Sequence, residues 1–525
     1  MLRQFELVER VRSYDPNVDE EALDRAYVFA VKMHGSQKRA SGDPYFSHPV
    51  EVAGILTEYK LDSASIITAL LHDTIEDTAA SYNDIKEMFG EEVAKLVEGV
   101  TKLSKLQLQS DQTKQAENFR KLLLAMSDDI RVLLVKLADR VHNMRTLQFH
   151  KNPEKRKRIA RETMEIYAPL AERIGMQEMK NELEDLSFKE LYPEAYESIT
   201  ARLAFLRQEG GDLVGRIIAR LKDDLKDTGL DIEVTGREKS PYSIWRKMKR
   251  QNATFEQLCD IMAFRVIVPT VADCYHVLGV IHTKYPMIPG RYKDYISTPK
   301  PNGYRSLHTG VIGPEKHRIE IQIRTREMHE VAEIGLAAHW RYKQGDYKTD
   351  GRQFAWLREL LDIMEQSDNP EEFLEHTKME MFQDQVFCFS PKGDLISLPK
   401  GATAIDFAYA VHSGVGNRCV GVKINGKIRP LRTVLVNGDQ VEILTSKTQT
   451  PSPEWERFAV TGKARAAIRR FVRAQKREQY LEVGRQILQR AYKSEGYEYT
   501  DKSLENVLTN FKPVSFRHLT LPTNS

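Results

Sequence analysis

Residues 69–78 read ALLHDTIEDT, and this stretch decides how the first part of the chain is interpreted. It places His72 and Asp73 directly after an apolar run, where a plain core helix would carry no ionisable group. Around it, apolar residues recur at helical spacing over 22–34, 50–59, 64–78, 83–100 and 117–147. We therefore predict an all-helical domain over residues 1–195, with His72 and Asp73 adjacent on one helix.

Two other stretches supply residues that could join this pair around a metal ion. His48 lies in FSHPVEV (46–52), and Asp139 lies in KLADRVHNMRT (136–146). Two imidazoles and two carboxylates form a mixed nitrogen and oxygen set that suits Mn²⁺, Fe²⁺ or Zn²⁺. Such an ion turns a bound water into a nucleophile and neutralises phosphate charge.

Two acids follow the histidine–aspartate pair at helical spacing. Glu76 is four residues after His72, and Asp77 is four residues after Asp73, so on a continuous helix both would share the face of the ligands. Carboxylates in that position can orient a metal-bound water or take its proton. The set therefore predicts a hydrolytic site.

Residues 196–345 alternate between helical and strand-like patterns, which predicts an α/β domain around a mixed sheet. We predict helices over 201–226, 243–250, 271–284 and 327–343, strands over 231–237, 261–268, 306–312 and 318–324, and a Pro/Gly-containing loop between 285 and 305.

The strands of this second domain carry charged residues beside apolar ones. In RIEIQIRT (318–325), Glu320, Gln322 and Arg324 alternate with isoleucines, so one strand face is polar and the other apolar. Asp260 begins another apolar strand, and two facing carboxylates suit Mg²⁺ with nucleotide phosphates. Arg237 and Lys239 are two apart at a strand end and can point together at phosphate.

The remaining chain is predicted to be a helical linker (346–383), a small β-rich domain (384–446) and a basic helical segment (447–525). Residues 457–495 hold 11 Lys and Arg against 3 Asp and Glu. Arg465, Arg469 and Arg473 are four apart and would form one basic face. Such a face is either a solvated surface or a site for RNA phosphates.

The composition fits a cytoplasmic protein of several domains. The 525 residues, 41% hydrophobic and 29% charged, suffice for three or four domains. No run of about 18 apolar residues predicts a membrane span, and the charged N-terminus does not resemble a signal peptide. Four scattered cysteines fit a reducing compartment. The net charge of +3 decides nothing about nucleic acid.

Three stretches, HGSQKRASGDPYFSHPVEVAGIL (34–56), ALLHDTIEDT and VKLADRVHNMRTL (135–147), resemble the HD hydrolase domain of the RelA/SpoT homologue family, the long bifunctional Rel enzymes. In that family the domain removes the 3′-pyrophosphate of (p)ppGpp with Mn²⁺. The resemblance implies metal ligands at His48, His72, Asp73 and Asp139, catalytic acids at Glu76 and Asp77, and substrate contacts at Arg39, Asn143 and Thr146.

The second domain resembles the synthetase domain of the same family, which has a polymerase-β-like nucleotidyltransferase fold. That domain transfers pyrophosphate from ATP to the 3′-hydroxyl of GDP or GTP. The resemblance implies Mg²⁺ ligands and catalytic acids at Asp260 and Glu320, with nucleotide contacts at Arg237, Lys239, Ser243, Lys247, Arg291, Lys293, Lys300, Asn302, Tyr304, His308 and Gln322. Tyr304 would stack on guanine. Residues 291–294 read RYKD, the basic form found in the bifunctional members.

Residues 385–445 resemble a TGS domain, in which His412 matches the position that contacts the 3′ end of uncharged tRNA. The basic segment after it is where the family binds tRNA and the ribosome. Long members continue into a zinc-finger or small α/β module and an ACT domain. Neither pattern follows here, and no cysteine follows Cys419. We expect a natural truncation, a frameshift or an artificial chain end.

The sequence thus predicts a bifunctional stringent-response enzyme, a GTP/GDP pyrophosphokinase and (p)ppGpp 3′-pyrophosphohydrolase. Its expected partners are ATP, GDP or GTP, (p)ppGpp, uncharged tRNA and the ribosome, with no membrane and with homo-oligomer formation left open. Because the two reactions oppose each other, we expect coupling through the helices around 150–225. Two alternatives remain: a hydrolase-dominant member with a weak or inactive synthetase, and an RNA-binding regulator.

Overall fold

The computed structural model describes residues 2–104, 124, 128–210, 212–255, 261–300, 302–335, 361 and 385–496. The chain divides into two compact units, Met1–Met364 and Glu365–Ser525, and each is considered by itself. Asp260 and, apart from Leu361, the proposed linker 346–383 lie outside the described residues.

The first part of unit one is helical, as predicted. Its helices are α1 (Gln4–Arg12), α2 (Glu20–His34), α3 (Ser47–Glu58), α4 (Ser63–Leu71), α5 (Thr74–Asp77), α6 (Tyr82–Ser104), α7 (Arg131–Arg145), α8 (Pro153–Glu162), α9 (Ala168–Arg173), α10 (Gln177–Leu191), α11 (Pro193–Gly210) and α12 (Leu213–Leu225). A π-helical segment, Thr163–Tyr167, joins α8 to α9.

Three of the predicted long helices are interrupted, so those predictions were wrong in part. The helix expected over 64–78 ends at Leu71, and a short helix restarts at Thr74. The helix expected over 201–226 is divided between α11 and α12, where Asp212 caps the new N-terminus by accepting a hydrogen bond from the Gly215 amide. In α6, Gly90 has φ +89°, which breaks the helical path.

Helix α7 is the central element of the helical part. It packs against α3, α4 and α6, and nearly all its residues between Arg131 and Met144 are buried. A helix buried on every side is normally apolar throughout. Yet α7 buries Lys136, Asp139 and His142, so these polar side chains need partners, and they mark a functional region.

The second part of unit one is a five-stranded mixed sheet, which confirms the predicted fold class. Its strands are β1 (Glu233–Glu238), β2 (Met262–Val268), β3 (Met287–Asp294), β4 (Leu307–Ile312) and β5 (Arg318–Thr325), and its helices are α13 (Pro241–Gln251), α14 (Val271–Lys284) and α15 (Arg326–Ile334). The order is β1-β2-β5-β4-β3, in which only β2 and β5 pair in parallel. Strand β3 lies in the segment that we predicted as a loop.

The two faces of this sheet differ in character, as the alternation in β5 predicted. One face is an apolar core formed by residues such as Phe264, Val266, Ile321 and Ile323, with α12 and α14 packed against it. The opposite face carries Glu320 and the residues that pair beside it, so polar groups from four strands converge there.

Unit two contains the β-rich domain and one long helix. Its elements are β6 (Gln385–Phe389), β7 (Leu395–Pro399), α16 (Ala404–Val411), α17 (Ser413–Asn417), β8 (Cys419–Ile424), β9 (Lys427–Arg429), β10 (Val441–Thr445) and α18 (Gly462–Ser494). The sheets are β10-β8-β9 and the hairpin β6-β7. Helix α16 was not among the predicted elements.

The start of α18 is bonded to the β-rich domain. The buried Asp406 of α16 accepts hydrogen bonds from the amides of Val460 and Thr461 and from the Thr461 hydroxyl. Trp455 and Ile468 join Tyr409 in one apolar cluster. The N-terminal turns of α18 and the β-rich domain therefore form a single packed body. No described helix of either unit is long and apolar enough to cross a membrane.

Candidate active sites

The first site is formed where α3, the end of α4 and α7 meet. A ligand atom from each of His48, His72 and Asp139 lies within 4.8 Å of the others, and all three residues are buried. His48 Nε2 is 3.2 Å from Asp139 Oδ1 and 3.6 Å from Asp73 Oδ2. The structure thus brings together the four residues that the sequence predicts as metal ligands.

The hydrogen bonds around His48 determine which of its nitrogens carries the proton. His142 Nδ1 lies 2.9 Å from Arg39 Nη1 and 2.7 Å from His48 Nδ1. A guanidinium can only donate, so His142 Nδ1 is the acceptor and His48 Nδ1–H donates to it. Burial, with the neighbouring His48 and Arg39, lowers the pKa of His142 to about 3, which keeps it neutral. His48 Nε2 is then left with a lone pair facing Asp139.

The Nδ1 proton of His72 is also fixed by a hydrogen bond, in this case to a backbone carbonyl. Its Nδ1 donates to the carbonyl of Ala69, 2.7 Å away in the last turn of α4. Burial would lower the pKa of His72, but Asp73 and Asp139 raise it to about 9. Nδ1 is therefore protonated in every state, and a metal ion would displace the proton of Nε2. That atom is buried and has no hydrogen-bond partner of acceptable geometry, although Asp73 Oδ1 is 3.2 Å away. A buried nitrogen without a partner is costly unless it binds an ion.

The carboxylates of this site are kept ionised. Burial alone would raise the pKa of Asp139, but the Lys136 ammonium, 2.6 Å from Asp139 Oδ2, holds that pKa well below its usual range. Asn143 donates to the other oxygen, Oδ1. Two imidazole nitrogens and ionised carboxylates are a donor set for a divalent transition ion, so the residues fit the metal that the sequence predicts.

Tyr45 connects the ligand set to one of the predicted catalytic acids. Its hydroxyl lies 3.0 Å from Asp73 Oδ2 and 2.6 Å from Asp77 Oδ2. Asp77 is exposed at the end of α5, and Glu76 beside it is half-buried. Because the chain leaves the helix between Leu71 and Thr74, these acids are presented by a separate turn, not by the same helix as His72.

The predicted substrate residues lie next to these groups. Arg39 Nη2 donates to Asn143 Oδ1 (2.8 Å), so both residues are within one hydrogen-bonded chain that ends on the proposed ligands. Thr146 caps α7 and donates to the carbonyl of His142. All three predicted contacts therefore lie along α7 and the segment that precedes α3.

The second site lies on the polar face of the sheet. Lys239 Nζ is 2.8 Å from Glu320 Oε2, Gln322 Nε2 donates to Oε1 at 3.1 Å, and His308 Nδ1 is 3.6 Å from Oε1. Burial would raise the pKa of Glu320, but the Lys239 ammonium and the hydrogen bond from Gln322 lower it to about 2. Glu320 is therefore an ionised, partly buried carboxylate. Its predicted partner Asp260 is outside the described residues.

The strand register gathers the other predicted nucleotide residues into rows. One row crosses four neighbouring strands and consists, in order, of Lys293 (β3), His308 (β4), Gln322 (β5) and Arg265 (β2). In the neighbouring row, Ala263 lies between Arg237 and Glu320. Arg291 packs over Gly310 in that row, while Ser243 and Lys247 lie on α13, just after β1.

Tyr304 lies between charged and aromatic groups beside these rows. Its hydroxyl is 2.8 Å from His308 Nε2, and Lys300 Nζ is 5.1 Å from its ring centroid. Tyr295 contacts the ring edge-on, with centroids 6.0 Å apart. Burial lowers the pKa of His308 to about 3. Glu320 opposes this shift, whereas Lys300 and Arg324 add to it, so His308 is neutral.

The predicted RNA residues differ in exposure. His412 is exposed, and its Nδ1 accepts a hydrogen bond from the Gly414 amide at the start of α17. On α18, Arg465 donates to the Ala459 carbonyl and Arg469 pairs with Glu456, so both are half-buried. Arg473 is exposed. The predicted basic face therefore begins with residues that also hold the helix in place.

Comparison with known proteins gives the family. The chain is 56% identical over 512 residues to GTP pyrophosphokinase rsh of Brucella ovis, covering 96% of this chain and 68% of that protein. The chain belongs to the RelA/SpoT family. It is also similar to the guanosine-3′,5′-bis(diphosphate) 3′-pyrophosphohydrolase of Aquifex aeolicus (49% over 495 residues, 94% and 70% covered) and to the bifunctional (p)ppGpp synthase/hydrolase SpoT of Escherichia coli (46% over 484 residues, 92% and 69% covered).

Four family models match this RelA/SpoT chain. They are the HD domain over residues 26–177, the region found in RelA/SpoT proteins over 236–347, the TGS domain over 386–445 and the RelA/SpoT AH domain over 471–519. The first site lies in the HD match and Glu320 lies in the second. These matches confirm the predicted family and fold class.

Several residues of these RelA/SpoT sites were not predicted. In the HD region they are Tyr45, Lys136 and His142, which form hydrogen bonds with the predicted metal ligands. On the sheet it is Arg265, whose guanidinium lies 2.9 Å from Glu333 Oε1; its position in AFRVIV, between apolar residues, would have placed it on the polar face. Arg324, which the alternation in RIEIQIRT does place on that face, lies 3.3 Å from the same oxygen.

A carboxyl pair lies between the two regions, where α10 meets α15. Hydrogen bonding with Glu333, together with burial, raises the pKa of Glu178 to about 7, although Arg265 and Arg237 oppose this. Glu333 is also flanked by Arg324 and His329. The pair therefore shares a proton, which Glu178 holds below neutral pH.

Proposed function

We propose that this chain is a bifunctional (p)ppGpp synthetase and hydrolase. The observation that carries the proposal is the presence of two separate acid-containing sites in one unit. One site has two buried imidazoles beside buried carboxylates, and the other has an ionised glutamate among cations. The relatives named for GTP pyrophosphokinase, for 3′-pyrophosphohydrolase and for both activities support the same pairing.

In the hydrolase, His48, His72, Asp73 and Asp139 would hold Mn²⁺. The ion supplies an acidified water and neutralises phosphate charge. Lys136 keeps Asp139 ionised, and His142 fixes the His48 tautomer. The attacking water gives its proton to one of the two acids, Glu76 or Asp77, and Tyr45 orients Asp77 for that task.

The substrate in this site is bound by the neighbouring polar groups. Arg39, Asn143 and Thr146 contact the 3′-pyrophosphate and its nucleoside. Arg39 is held by His142 and Asn143, so its guanidinium is oriented before the substrate arrives. The products are GDP or GTP and pyrophosphate.

In the synthetase, Glu320 and Asp260 would hold Mg²⁺, whose preferred ligands are carboxylate and phosphate oxygens. Glu320 also accepts the proton of the guanosine 3′-hydroxyl. Arg237, Lys239, Ser243 and Lys247 bind the phosphates of ATP, and Tyr304 stacks on guanine. Arg291, Lys293 and Lys300 stabilise the negative charge that accumulates during transfer.

The second unit is proposed to recognise RNA. His412 is exposed at the start of α17, and Arg473 is exposed on the basic helix α18. We assign this surface to uncharged tRNA and to the ribosome. Binding of radiolabelled deacylated tRNA should weaken steeply with salt and should fall when His412 is replaced by alanine.

One assay tests the enzymatic proposal. The protein is incubated with ATP, GDP and Mg²⁺ in one reaction, and with ppGpp and Mn²⁺ in another, and the products are separated by chromatography. We expect AMP and ppGpp from the first reaction, and GDP and pyrophosphate from the second. Hydrolysis without synthesis would favour the hydrolase-dominant alternative, and neither product would favour the RNA-binding regulator.

A further inference from the structure

One glutamine connects the segment between α2 and α3 to the short helix α5, which carries the two proposed catalytic acids. Gln37 lies in that segment, and its Nε2 donates to the backbone carbonyl of Asp77, 2.8 Å away. Asp77 is the last residue of α5, where carbonyls lack an intrahelical partner. The Gln37 side chain therefore satisfies the end of α5 and holds the backbone of Asp77.

The same glutamine also holds Tyr45, in this case through its main chain. The carbonyl of Gln37 accepts a hydrogen bond from the Tyr45 amide (2.8 Å), and Lys38 and Pro44 form a β-bridge beside it. The Tyr45 hydroxyl in turn lies 2.6 Å from Asp77 Oδ2. Gln37 is thus bonded to both members of the Tyr45–Asp77 pair, to one by its main chain and to the other by its side chain.

His34, the last residue of α2, fixes the orientation of the Gln37 amide. A backbone carbonyl can only accept, so Gln37 Nε2 faces Asp77 and Oε1 faces His34 Nδ1, which lies 3.0 Å away and is the donor. His34 is 1% exposed, and its ring stacks on that of Tyr45 with centroids 4.7 Å apart. The imidazole is held by this packing, so it offers the amide a donor in a fixed position.

The hydrogen bonds of Gln37 argue against a direct role in binding the metal or the substrate. Its oxygen is occupied by His34, and its nitrogen is directed at the carbonyl of Asp77. The proposed metal ligands are held by other groups, such as His142 and Lys136. Gln37 therefore acts on the backbone of α5 and not on the ligand set.

We propose that Gln37 is a positioning residue of the hydrolase, which anchors α5 so that the Asp77 carboxylate is directed at the attacking water. The inference rests on the proposed hydrolase function and specifies how one of its acids is presented. Helix α5 is four residues long. So short a helix is not stable by itself, and the direction of Asp77 depends on contacts from outside α5.

The effect of losing the anchor should fall on the rate of the chemical step. The loss of one neutral hydrogen bond changes an equilibrium by roughly 2- to 12-fold, here the equilibrium between the anchored and released positions of Asp77. We expect kcat for ppGpp hydrolysis to fall by that factor. The KM for ppGpp and the affinity for Mn²⁺ should stay constant, because Arg39 and the metal ligands keep their own hydrogen bonds.

Two variants of Gln37 remove the anchor in different ways. Gln37→Met keeps the length of the side chain but removes both polar atoms of the amide. Gln37→Glu keeps an acceptor for His34 but replaces the donor to the Asp77 carbonyl with a carboxylate oxygen, so its effect should be at least as large. The matched control is Ser36→Ala, at the exposed position next to Gln37 in the same segment.

Two readouts show whether Gln37 acts through Asp77. Initial rates of ppGpp hydrolysis are measured for Gln37→Met alone and combined with Asp77→Asn. In the combined variant the positioned carboxylate is already lost, so Gln37→Met should lower kcat further by less than about 2-fold. Hydrogen exchange followed by mass spectrometry gives the protection of the peptide that contains 74–78. We expect exchange to increase in both Gln37 variants and to stay at the parent level in Ser36→Ala.

Other outcomes would overturn the proposal. If kcat or exchange in both Gln37 variants equals that of the parent, Gln37 does not position α5 for catalysis. If Gln37→Met costs as much in the Asp77→Asn background as in the parent, or weakens Mn²⁺ binding, Gln37 acts on another part of the site. If the parent does not hydrolyse ppGpp, the proposed function fails, and the exchange of 74–78 in the variants still decides whether Gln37 anchors α5. The same exchange decides the question if Asp77→Asn is too slow to measure.

Discussion

The role of His142 gives a prediction that can be worked out from the structure. In His142→Leu the ring nitrogen that accepts from both His48 and Arg39 is lost, while the volume is largely kept. His48 is 2% exposed, so no water readily replaces the acceptor. Its Nδ1–H would be left without a partner, and the tautomer that directs the Nε2 lone pair at the metal would no longer be favoured.

The magnitude follows from that loss. Removing a hydrogen-bond partner of a metal-binding histidine typically weakens metal affinity by 10- to 100-fold, which corresponds to about 1.4–2.7 kcal/mol. We expect His142→Leu to bind Mn²⁺ more weakly by this factor. Hydrolysis of ppGpp at low Mn²⁺ should fall in parallel and recover partly at high Mn²⁺.

The assay is Mn²⁺ titration followed by electron paramagnetic resonance of the free ion, with thermal unfolding as the check on folding. The control is His142→Gln, whose side-chain oxygen can accept from His48 Nδ1–H, and it should retain most of the affinity. Equal Mn²⁺ affinity in the parent and in a folded His142→Leu protein would refute the assigned tautomer.

Three further changes test separate parts of the structure. Tyr45→Phe removes the hydroxyl between two carboxylates and should slow hydrolysis about 10-fold, measured at saturating Mn²⁺ with synthesis as the unaffected control. Glu320→Gln removes the ionised carboxylate that Lys239 contacts on the polar sheet face and should reduce synthesis about 100-fold or more, while product analysis shows hydrolysis unchanged. The raised pKa of Glu178 means that the folded protein binds a proton that the unfolded chain releases above its ordinary pKa of 4.5, so the parent should lose stability as pH rises to about 7. Glu178→Gln should flatten that dependence in denaturant unfolding between pH 5 and 8, and an unchanged slope would mean that Glu178 does not share a proton with Glu333.

The polar face of the sheet was predictable because its signal is local. In RIEIQIRT the alternation alone assigns Glu320 and Gln322 to one face, and the strand pairing confirms it. The break before Asp212 also had a local signal, since Gly210, Gly211 and a capping aspartate occur together. The prediction of one helix over 201–226 gave too much weight to the helical spacing of its apolar residues.

The chain of hydrogen bonds around the first site could not be predicted in the same way. His48 and His142 are 94 residues apart and meet only because α3 packs against α7. No Gly or Pro near His72 in the sequence indicates that the helix ends there. It is stabilised by contacts that the local sequence does not show, such as the His72 carbonyl accepting from Thr101 of α6.

The two proposed sites differ in their donor atoms, and from this difference we infer that they bind different ions. Buried imidazole nitrogens favour a transition ion, whereas carboxylates with nucleotide phosphates favour Mg²⁺. Without an ion, the first site keeps His72 Nε2 without a hydrogen-bond partner, but the second satisfies Glu320 through Lys239. We therefore propose that the first site holds a resident metal, and that the second binds an ion that arrives with its nucleotide.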